Sequence, residues 1–490
     1  MKKSIFGILL LMEGVFLLLT LAVSLFYGEG DWLVFLLTAL LCFGVGGICK
    51  WRGEASKDNH MSRADSFLVV ALSWIVFSAA GMLPYIFIKH LDVASAFFET
   101  MSGFTTTGAT CMNDIENSTH ALLFWRSLTQ WMGGLGIVVF SFALIPVYEM
   151  KNTTVFSAEV TGVGVSKLTP KIGSTARRLL LIYLLLTLGC QLCYWCGPMD
   201  FFDSVCHSMT TIATGGFSTH TQSIGYFHST YLEYVCPVFM LLSSVNFSLY
   251  YYTSIRRPQV LYRNEELHTF LAIVAFMVCF FFLLFYIAPH DAQSMAALPF
   301  GVEERIRSAF FHVSTTITST GFSAEKFDYV AWGAPYWMPT VVIMAIGACA
   351  GSTAGGIKII RILICAKSVF NEFVLQLHPR AVVAVKVSGE VVPNDRVRRA
   401  LAFIFIYFLM VVVGMVAFTL MGSDADTGLG SSISMLSNVG PATGTTGPAS
   451  TFAHVPAIGK WMMSFYMLVG RLEIYTVLFL FMPSYWKERK

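Results

Sequence analysis

Charged side chains are scarce in this chain. Of its 490 residues only 12% are Asp, Glu, Lys or Arg, whereas 56% are hydrophobic. This balance excludes a soluble globular protein, because a single soluble core cannot bury so much apolar surface. The sequence also lacks a Ser, His and Asp constellation or a carboxylate pair in a credible pocket. We therefore expect neither an enzyme nor a nucleic-acid partner.

The eleven cysteines lack the pattern of a disulfide framework. The stretch CQLCYWC places Cys190, Cys193 and Cys196 at helical spacing, with His207 further along the chain. A zinc site needs four converging ligands, which a lipid-embedded helix does not readily offer. These cysteines are interpreted as small apolar residues that face the core or the lipid.

Long apolar runs dominate the sequence. Runs such as SIFGILLLMEGVFLLLTLAVSLF and FLAIVAFMVCFFFLLFYI are long enough to cross a hydrocarbon layer of roughly 30 Å as helices. About ten such spans are expected. The first has no small-residue cleavage pattern and is soon followed by a second, which favours a retained helix over a signal peptide.

The loops between these runs alternate in charge. Basic residues cluster in the segments 50–63, 151–178, 256–263 and 358–399 and at the C-terminal end. The intervening short loops carry acidic residues instead, for example Asp114 and Glu116. The positive-inside rule predicts that the basic segments and both termini are cytoplasmic.

A polar motif occurs four times on the acidic, outward side. The segments are FFETMSGFTTTGAT, VCHSMTTIATGGFS, FFHVSTTITSTGFS and SSISMLSNVGPATG. Aligned on one glycine each, they superpose Gly108, Gly215, Gly321 and Gly440. The separations are 215 − 108 = 107, 321 − 215 = 106 and 440 − 321 = 119 residues. Such a regular period indicates an internal repeat.

Each motif lies between two apolar spans. The apolar stretch before the first glycine, from Val93 to Phe104, would be only about 18 Å long as a helix, too short to cross the membrane. The predicted fold is therefore an all-α polytopic membrane protein with four repeats of helix, pore half-helix and helix in a pseudo-fourfold arrangement. We assign residues 1–64 to two extra N-terminal helices and a basic loop, and 65–150, 151–256, 257–370 and 371–490 to the four repeats, the last including a cytoplasmic hairpin.

Re-entrant backbone survives at membrane depth only inside protein or along a water-filled path. Four such turns around one axis can point carbonyl oxygens inward and replace the hydration shell of a cation. Glycine tolerates the positive φ that this geometry needs, and the half-helix C-termini add partial negative charge. For a single loop, an ordinary turn between helices remains an alternative interpretation. For the whole repeat, the alternative is a secondary transporter with broken helices.

The four loops, together with WRSLTQWMGGLGIVVF and GACAGSTAGGIKIIR, resemble the Trk/Ktr/HKT superfamily of potassium uptake proteins over nearly the whole chain. The two extra N-terminal spans make the chain more similar to the bacterial Trk membrane subunit. The resemblance implies potassium-selective uptake, with K⁺ as the transported ion and no organic cofactor. The filter residues expected to bind K⁺ are Thr106, Thr107 and Gly108; Ala213, Thr214 and Gly215; Ser319, Thr320 and Gly321; and Asn438, Val439 and Gly440.

The same resemblance implies a homodimer in the lipid of a bacterial inner membrane, regulated by a cytoplasmic ring of nucleotide-binding subunits. Family members with serine at the first filter glycine tend to be sodium-permeable, so Gly108 favours potassium. The alternative function is a secondary transporter that couples entry of potassium or sodium to protons or sodium.

The third repeat contains a second glycine-rich stretch. Gly347, Gly351 and Gly355 lie at the four-residue spacing of a helix-packing face. The neighbouring polar and glycine residues favour an unwound loop instead, and the resemblance identifies it as an intramembrane gate. The residues expected to form this gate are Gly347, Gly351, Ser352, Thr353, Gly355, Gly356 and Arg471.

Arg471 is a charge inside the last span. An ionisable residue there usually faces the protein interior or a water path, and the alternative is an ion pair with Glu473. Lys358 and Arg361 are expected to extend towards the cytoplasmic interface, and Arg126 to anchor its helix at the outer surface. Glu13, in the first span, has no assigned role beyond a helix-to-helix hydrogen bond.

One extramembrane segment has a pattern of its own. The stretch AVVAVKVSGEVV, residues 381–392, predicts two short strands around Ser388 and Gly389. A basic hairpin of this kind is a plausible docking point for a soluble regulator, or a simple connector.

Overall fold

The computed structural model describes residues 2–54, 63–144, 172–254, 259–288, 298–299, 301–325, 327–483 and 486. Most of the basic segment 151–178 and the C-terminal Lys487–Lys490 lie outside these residues. The helices before the second loop are α1 (Lys2–Tyr27), α2 (Trp32–Glu54), α3 (Arg63–Gly81), α4 (Leu83–Lys89), α5 (Val93–Phe104), α6 (His120–Leu144), α7 (Ile172–Trp195) and α8 (Phe201–Ile212).

The remaining helices follow the second loop. They are α9 (Thr230–Ser243), α10 (Phe247–Ser254), α11 (Gln259–Arg263), α12 (Glu265–Ile287), α13 (Val302–Ile317), α14 (Ala334–Ile346), α15 (Ile359–Leu377), α16 (Asn394–Leu420), α17 (Ala425–Ser437), α18 (Ala457–Arg471) and α19 (Glu473–Leu478).

The helices reflect the apolar runs of the sequence, because a helix satisfies its own backbone hydrogen bonds in lipid. Among the described residues, six helices are long and apolar enough to cross a membrane, or up to eight if each bent pair is one span. The expected ten are therefore not all straight helices. The spans after the first and third loops correspond to α6, which is kinked, and α14, which is short.

Four short helices, α5, α8, α13 and α17, precede the four polar loops. The first ends at Phe104, as the sequence predicts, and has twelve residues. Asp92 caps α5 by accepting a hydrogen bond from Ser95 N, and Asp200 caps α8 by accepting one from Asp203 N. These caps satisfy amide groups at the helix starts, so the acidic residues of the short loops also define where the half-helices begin.

The helix after each loop is interrupted. Gly136 has φ 72° within α6, and α9 and α10 meet at 85°. The helix α14 has thirteen residues and ends at Ile346, and the chain becomes helical again, as α15, only at Ile359. The helices α18 and α19 meet at 114°. Of these four breaks, only the third is expected from the sequence.

The predicted strands between α15 and α16 are present. β1 (Lys386–Val387) pairs antiparallel with β2 (Glu390–Val391), with Lys386 opposite Val391. Ser388 and Gly389 form the turn with φ 52° and 84°, as a tight hairpin turn requires. The turn is joined to the start of α12, because Ser388 N donates to Glu265 at 2.9 Å.

Candidate functional site

The four half-helices end in the same backbone motif. Each is followed by a non-glycine residue with positive φ: Thr106, Thr214, Ser319 and Asn438, at 53°, 53°, 53° and 55°. The amide of that residue donates to the carbonyl three residues earlier, and the next amide donates to the carbonyl five residues earlier, at 2.8–3.4 Å. This is a Schellman helix end. Two of the four, Thr106 and Thr214, are β-branched residues, which are rare in this region, and this marks a constrained site.

The shared motif corrects the alignment of the second loop. The residue two places after Thr214 is Gly216, and Gly216, not Gly215, has the positive φ of Gly108, at 78° and 82°. The separations become 216 − 108 = 108, 321 − 216 = 105 and 440 − 321 = 119. Ala213 therefore corresponds to Thr105, outside the expected triplet. The second triplet is Thr214, Gly215 and Gly216.

A sequence signal for this register exists. All four loops contain Ser, Thr or Asn, then any residue, then Gly, but only when the second loop is aligned on its later glycine. The hydroxyl and amide residues tolerate or support the left-handed region better than large apolar residues do. The adjacent glycines leave two registers open from the sequence alone, and the expected alignment on Gly215 is wrong.

The four loops touch one another in a closed order. A Cβ atom built on the positive-φ glycine of one loop would overlap a carbonyl oxygen of the next, closer than the 3.0 Å that real Cβ atoms respect. The pairs are Gly108 with Gly215 O, Gly216 with Thr320 O, Gly321 with Val439 O and Gly440 with Thr107 O. Glycine is thus needed at these positions for both φ and space. The sequence of contacts forms a ring.

Most of the ring is buried, with Gly108, Gly216 and Gly321 partly exposed, and the ring is uncharged. The three consecutive residues from each loop are 106–108, 214–216, 319–321 and 438–440, and none has a charged side chain. Thr107, Thr214 and Thr320 are each 0% exposed. The half-helices α5, α8, α13 and α17 end beside it, so their C-terminal partial charges lie next to the ring.

Hydroxyl pairs support two of the loops from within. In the first loop Thr105 Oγ1 and Thr107 Oγ1 are 2.8 Å apart, and in the third loop Thr318 Oγ1 and Thr320 Oγ1 are also 2.8 Å apart. The fourth loop differs, because Ser434 donates to Gly440 O at 2.9 Å. It is also connected to the first loop by Asn438 Nδ2, which donates to Thr107 Oγ1. The first, third and fourth loops are therefore held by specific hydrogen bonds.

A buried ion pair lies behind the first two loops. Arg126 and Glu99 are 1% and 0% exposed and approach to 3.0 Å. Arg126 also donates to Ser218 O of the second loop, while Glu99 accepts from Cys111 N of the first. The expectation that Arg126 anchors its helix at the outer surface is wrong. A buried guanidinium needs a carboxylate partner, and the distant Glu99 provides it.

The segments beyond the ring are connected in a similar way. Glu116, after the first loop, accepts hydrogen bonds from Thr221 N and Thr221 Oγ1, after the second. Burial raises the pKa of Glu116, but these hydrogen bonds outweigh it and leave the pKa below its usual range. The carboxylate is therefore kept ionised where the two loops meet.

The glycine-rich stretch of the third repeat is unwound, as the sequence analysis favoured. Gly347, Gly351 and Gly356 have φ of 70°, 71° and 80°, which excludes a continuous helix through them. The alternative of a regular helix-packing face is therefore wrong. We call residues 347–358 the intramembrane loop.

The intramembrane loop contacts the ends of three half-helices. Gly355 N donates to Ser319 Oγ at 2.7 Å, and Thr353 Oγ1 donates to Ile212 O at 3.1 Å. A Cβ atom on Gly355 would overlap Ser437 O. Ser352 is bonded within the loop, to Cys349 O at 2.6 Å. The loop thus lies directly against the ring on the side of the half-helix C-termini.

Arg471 joins this loop to the kinked helix α6. Its Nη1 donates to Thr353 O at 2.7 Å, and its Nη2 donates to Gly133 O and to Gly134 O. It therefore contacts Thr353, another of the residues expected from the sequence to form a gate. The carboxylate of Glu473, the alternative partner considered for Arg471, forms an ion pair with Arg361.

Of the two cations after the glycines, Lys358 is buried and Arg361 is largely covered, with 11% of its side chain exposed. Lys358 is 8% exposed and its Nζ donates to Ala354 O. Arg361 pairs with Glu473 and lies 4.0 Å from the centre of the Phe403 ring. The expectation that both side chains reach the cytoplasmic interface is wrong, because carbonyl and carboxylate partners are available within the protein.

Two further polar residues, Gln130 and Glu13, have distinct surroundings. Gln130, on α6, was not identified from the sequence, yet it bonds the second loop. Within the described residues the carboxylate of Glu13 has no hydrogen-bond partner, so its expected helix-to-helix bond is absent. All eleven cysteines are free, and the described ranges contain no group of three or more His, Cys, Asp or Glu side chains that could hold a metal ion.

Comparisons with known proteins agree with this architecture. The family model TrkH, described as a cation transport protein, matches residues 33–488. The chain is 35% identical over 492 residues to the Trk system potassium uptake protein TrkH of Escherichia coli strain K12, covering 99% of this chain and 98% of that protein. It is 33% identical to TrkG of the same strain, covering 98% and 97%.

A solved structure is similar throughout. The crystal structure of the potassium transporter TrkH from Vibrio parahaemolyticus matches with a TM-score of 0.86 and 33% sequence identity. The match covers 99% of both chains. The all-α membrane fold expected from the sequence is therefore confirmed.

Proposed function

The chain belongs to the TrkH family of cation transport proteins, and on that premise we propose that it takes up potassium selectively through the ring of its four loops. The transport proteins of this family are named for potassium uptake and not for an enzymatic reaction. We place the protein in a bacterial inner membrane, with both termini in the cytoplasm, because the basic segments favour that orientation.

The observation that supports this proposal most strongly is the closed order of contacts among the four loops. It brings four equivalent stretches of backbone together, and their carbonyl oxygens are the neutral ligands that can replace the water shell of a monovalent cation. The ring residues carry no carboxylate, so a bound ion can also leave. We assign potassium binding to residues 106–108, 214–216, 319–321 and 438–440.

We further propose that the intramembrane loop is the gate. It lies against the ring through Ser319, Ile212 and Ser437, where its presence narrows the path below the filter. Its positive-φ glycines allow a local rearrangement without bending a whole helix. Gating then requires the loop to leave these contacts.

Arg471 has two roles in this proposal. Its bond to Thr353 O holds the loop, and its fixed charge raises the barrier for a cation near the gate. Because the same guanidinium contacts the kinked region of α6, movement of the loop and of that kink are linked.

The repeats proposed from the sequence, 65–150, 151–256, 257–370 and 371–490, each contain one half-helix, one loop and one interrupted helix. A homodimer and a cytoplasmic nucleotide-binding ring are the proposed partners, since the relatives are named as parts of a Trk system. The hairpin 386–391 is the proposed docking point for that ring.

Ion flux through purified protein in liposomes tests the proposal. Under opposed potassium and sodium gradients, we expect the reversal potential to follow the potassium gradient alone. A Gly108→Ser variant should increase sodium permeation relative to potassium, because its side chain would overlap Gly215 O and displace that carbonyl. Coupled transport would instead give a reversal potential that depends on the proton or sodium gradient.

A further inference from the structure

The second loop lacks the hydroxyl pair that supports the first and third. Where those loops have two threonines, at 105 and 107 and at 318 and 320, the second has Ala213 and Gly215. Neither residue has a side chain that can form a hydrogen bond. Some other group must fix this part of the backbone if its carbonyl is to match the others.

Gln130 fills that position from the neighbouring helix α6. Its Nε2 donates to Gly215 O at 2.6 Å, and its Oε1 accepts from Phe217 N at 3.0 Å. The side chain is 0% exposed. The amide orientation is determined by these two partners, since a carbonyl can only accept and an amide N–H can only donate.

Glycine at position 215 is what makes room for this contact. A Cβ atom there would overlap the carboxamide of Gln130. Glycine at position 215 therefore both removes the hydroxyl and makes room for the carboxamide of Gln130. Gln130 bridges the positions on either side of Gly216, the glycine whose φ is positive.

The carbonyl held by Gln130 belongs to the ring. Gly215 O corresponds to Thr107 O, Thr320 O and Val439 O, each of which lies against the glycine of another loop. In the described part of the chain, no hydrogen bond is made to those other three carbonyls. One of four equivalent oxygens is thus positioned by a side chain and the others are not.

From these contacts, and resting on the proposed filter, we infer that Gln130 is a positioning residue that determines cation selectivity through the second loop. Without its two bonds the Gly215 carbonyl and the Phe217 amide lose their buried partners. The loop then relaxes, and the ring accommodates the smaller sodium ion. Transport itself continues, because the other three loops are unchanged.

The test compares sodium and potassium permeability of full-length variants in liposomes. Gln130→Met keeps a side chain of similar length but removes both hydrogen bonds, and we expect the sodium-to-potassium permeability ratio to rise roughly fivefold, as for the loss of about one hydrogen bond. Ser127→Ala is the matched control, since Ser127 lies on the same helix and its hydroxyl bonds Leu123 O and Cys206, both outside the second loop. It should leave the ratio unchanged.

A second variant addresses the case in which Gln130→Met does not fold. Gln130→Glu keeps the shape and the acceptor for Phe217 N–H, but at alkaline pH its ionised form has no proton to donate to Gly215 O. We expect this variant also to raise the ratio. An unchanged ratio in whichever of the two variants folds overturns the inference.

Gly108→Ser separates this inference from the proposed filter. If Gly108→Ser raises the ratio and the Gln130 variants do not, the filter stands and the role of Gln130 is wrong. If none of the variants changes the ratio, the filter itself is wrong.

Discussion

The hydrogen bond between Ser319 Oγ and Gly355 N joins the filter directly to the proposed gate. Replacing Ser319 with alanine removes the acceptor and leaves the backbone of the ring unaltered. The Gly355 amide is buried, so in the closed state it loses its partner, whereas an open loop can hydrate it. The substitution should therefore favour the open state.

The magnitude follows from the cost of a buried unsatisfied donor, about 1–3 kcal/mol. At 1.4 kcal/mol per tenfold change, this corresponds to roughly a fivefold to 140-fold increase in the equilibrium constant for opening. Single-channel recording of purified protein in bilayers measures open probability, and reversal potentials of the same preparation report selectivity. Selectivity should hold, because Ser319 contributes its carbonyl and not its hydroxyl to the ring.

Ser352→Ala is the matched control for this prediction. It removes a hydroxyl from the same loop whose bond, to Cys349 O, stays within the loop. An equal increase in open probability in both variants, or no increase in Ser319→Ala, would refute the reasoning that this bond keeps the loop closed.

Three further predictions concern the ring, its support and the gate. Gly216→Ala should abolish transport, because alanine is strained at φ 78° and its Cβ overlaps Thr320 O. As a control, Gly47→Ala places a Cβ in open space and should leave ion flux intact. Equal flux in the two variants would contradict the corrected register. Glu99→Gln should lower the free energy of unfolding by about 3–5 kcal/mol, because it leaves Arg126 buried without a carboxylate. A loss below about 1 kcal/mol in denaturant titrations would mean that the ion pair is not essential for stability. Arg471→Gln should increase potassium flux in liposomes, because it releases the intramembrane loop and removes a positive charge. Arg471→Lys should give an intermediate flux. A decreased flux in Arg471→Gln would exclude both roles of Arg471.

Sequence periodicity was sufficient to predict the half-helix and loop repeat, because a short apolar segment that ends in glycine can adopt few backbone conformations in lipid. It was also sufficient for the unwound intramembrane loop and the hairpin around Ser388 and Gly389. In each case the deciding residues are local: glycines, hydroxyls and turn residues that act within a few positions of themselves.

The features that could not be predicted depend on contacts between distant positions. Arg126 meets Glu99 across 27 residues, and Gln130 meets Gly215 across 85. Neither partner has a local pattern that indicates the other. The register error at Gly215 has the same origin, since the choice between adjacent glycines is made by a carbonyl of the third loop.

Crystals soaked in rubidium provide the most direct test of the ring, because anomalous scattering locates the ion without reference to transport. We predict a peak on the shared axis of the four loops, within coordination distance of carbonyl oxygens from residues 106–108, 214–216, 319–321 and 438–440. A peak held mainly by carboxylates elsewhere, with none at the ring, would contradict the account.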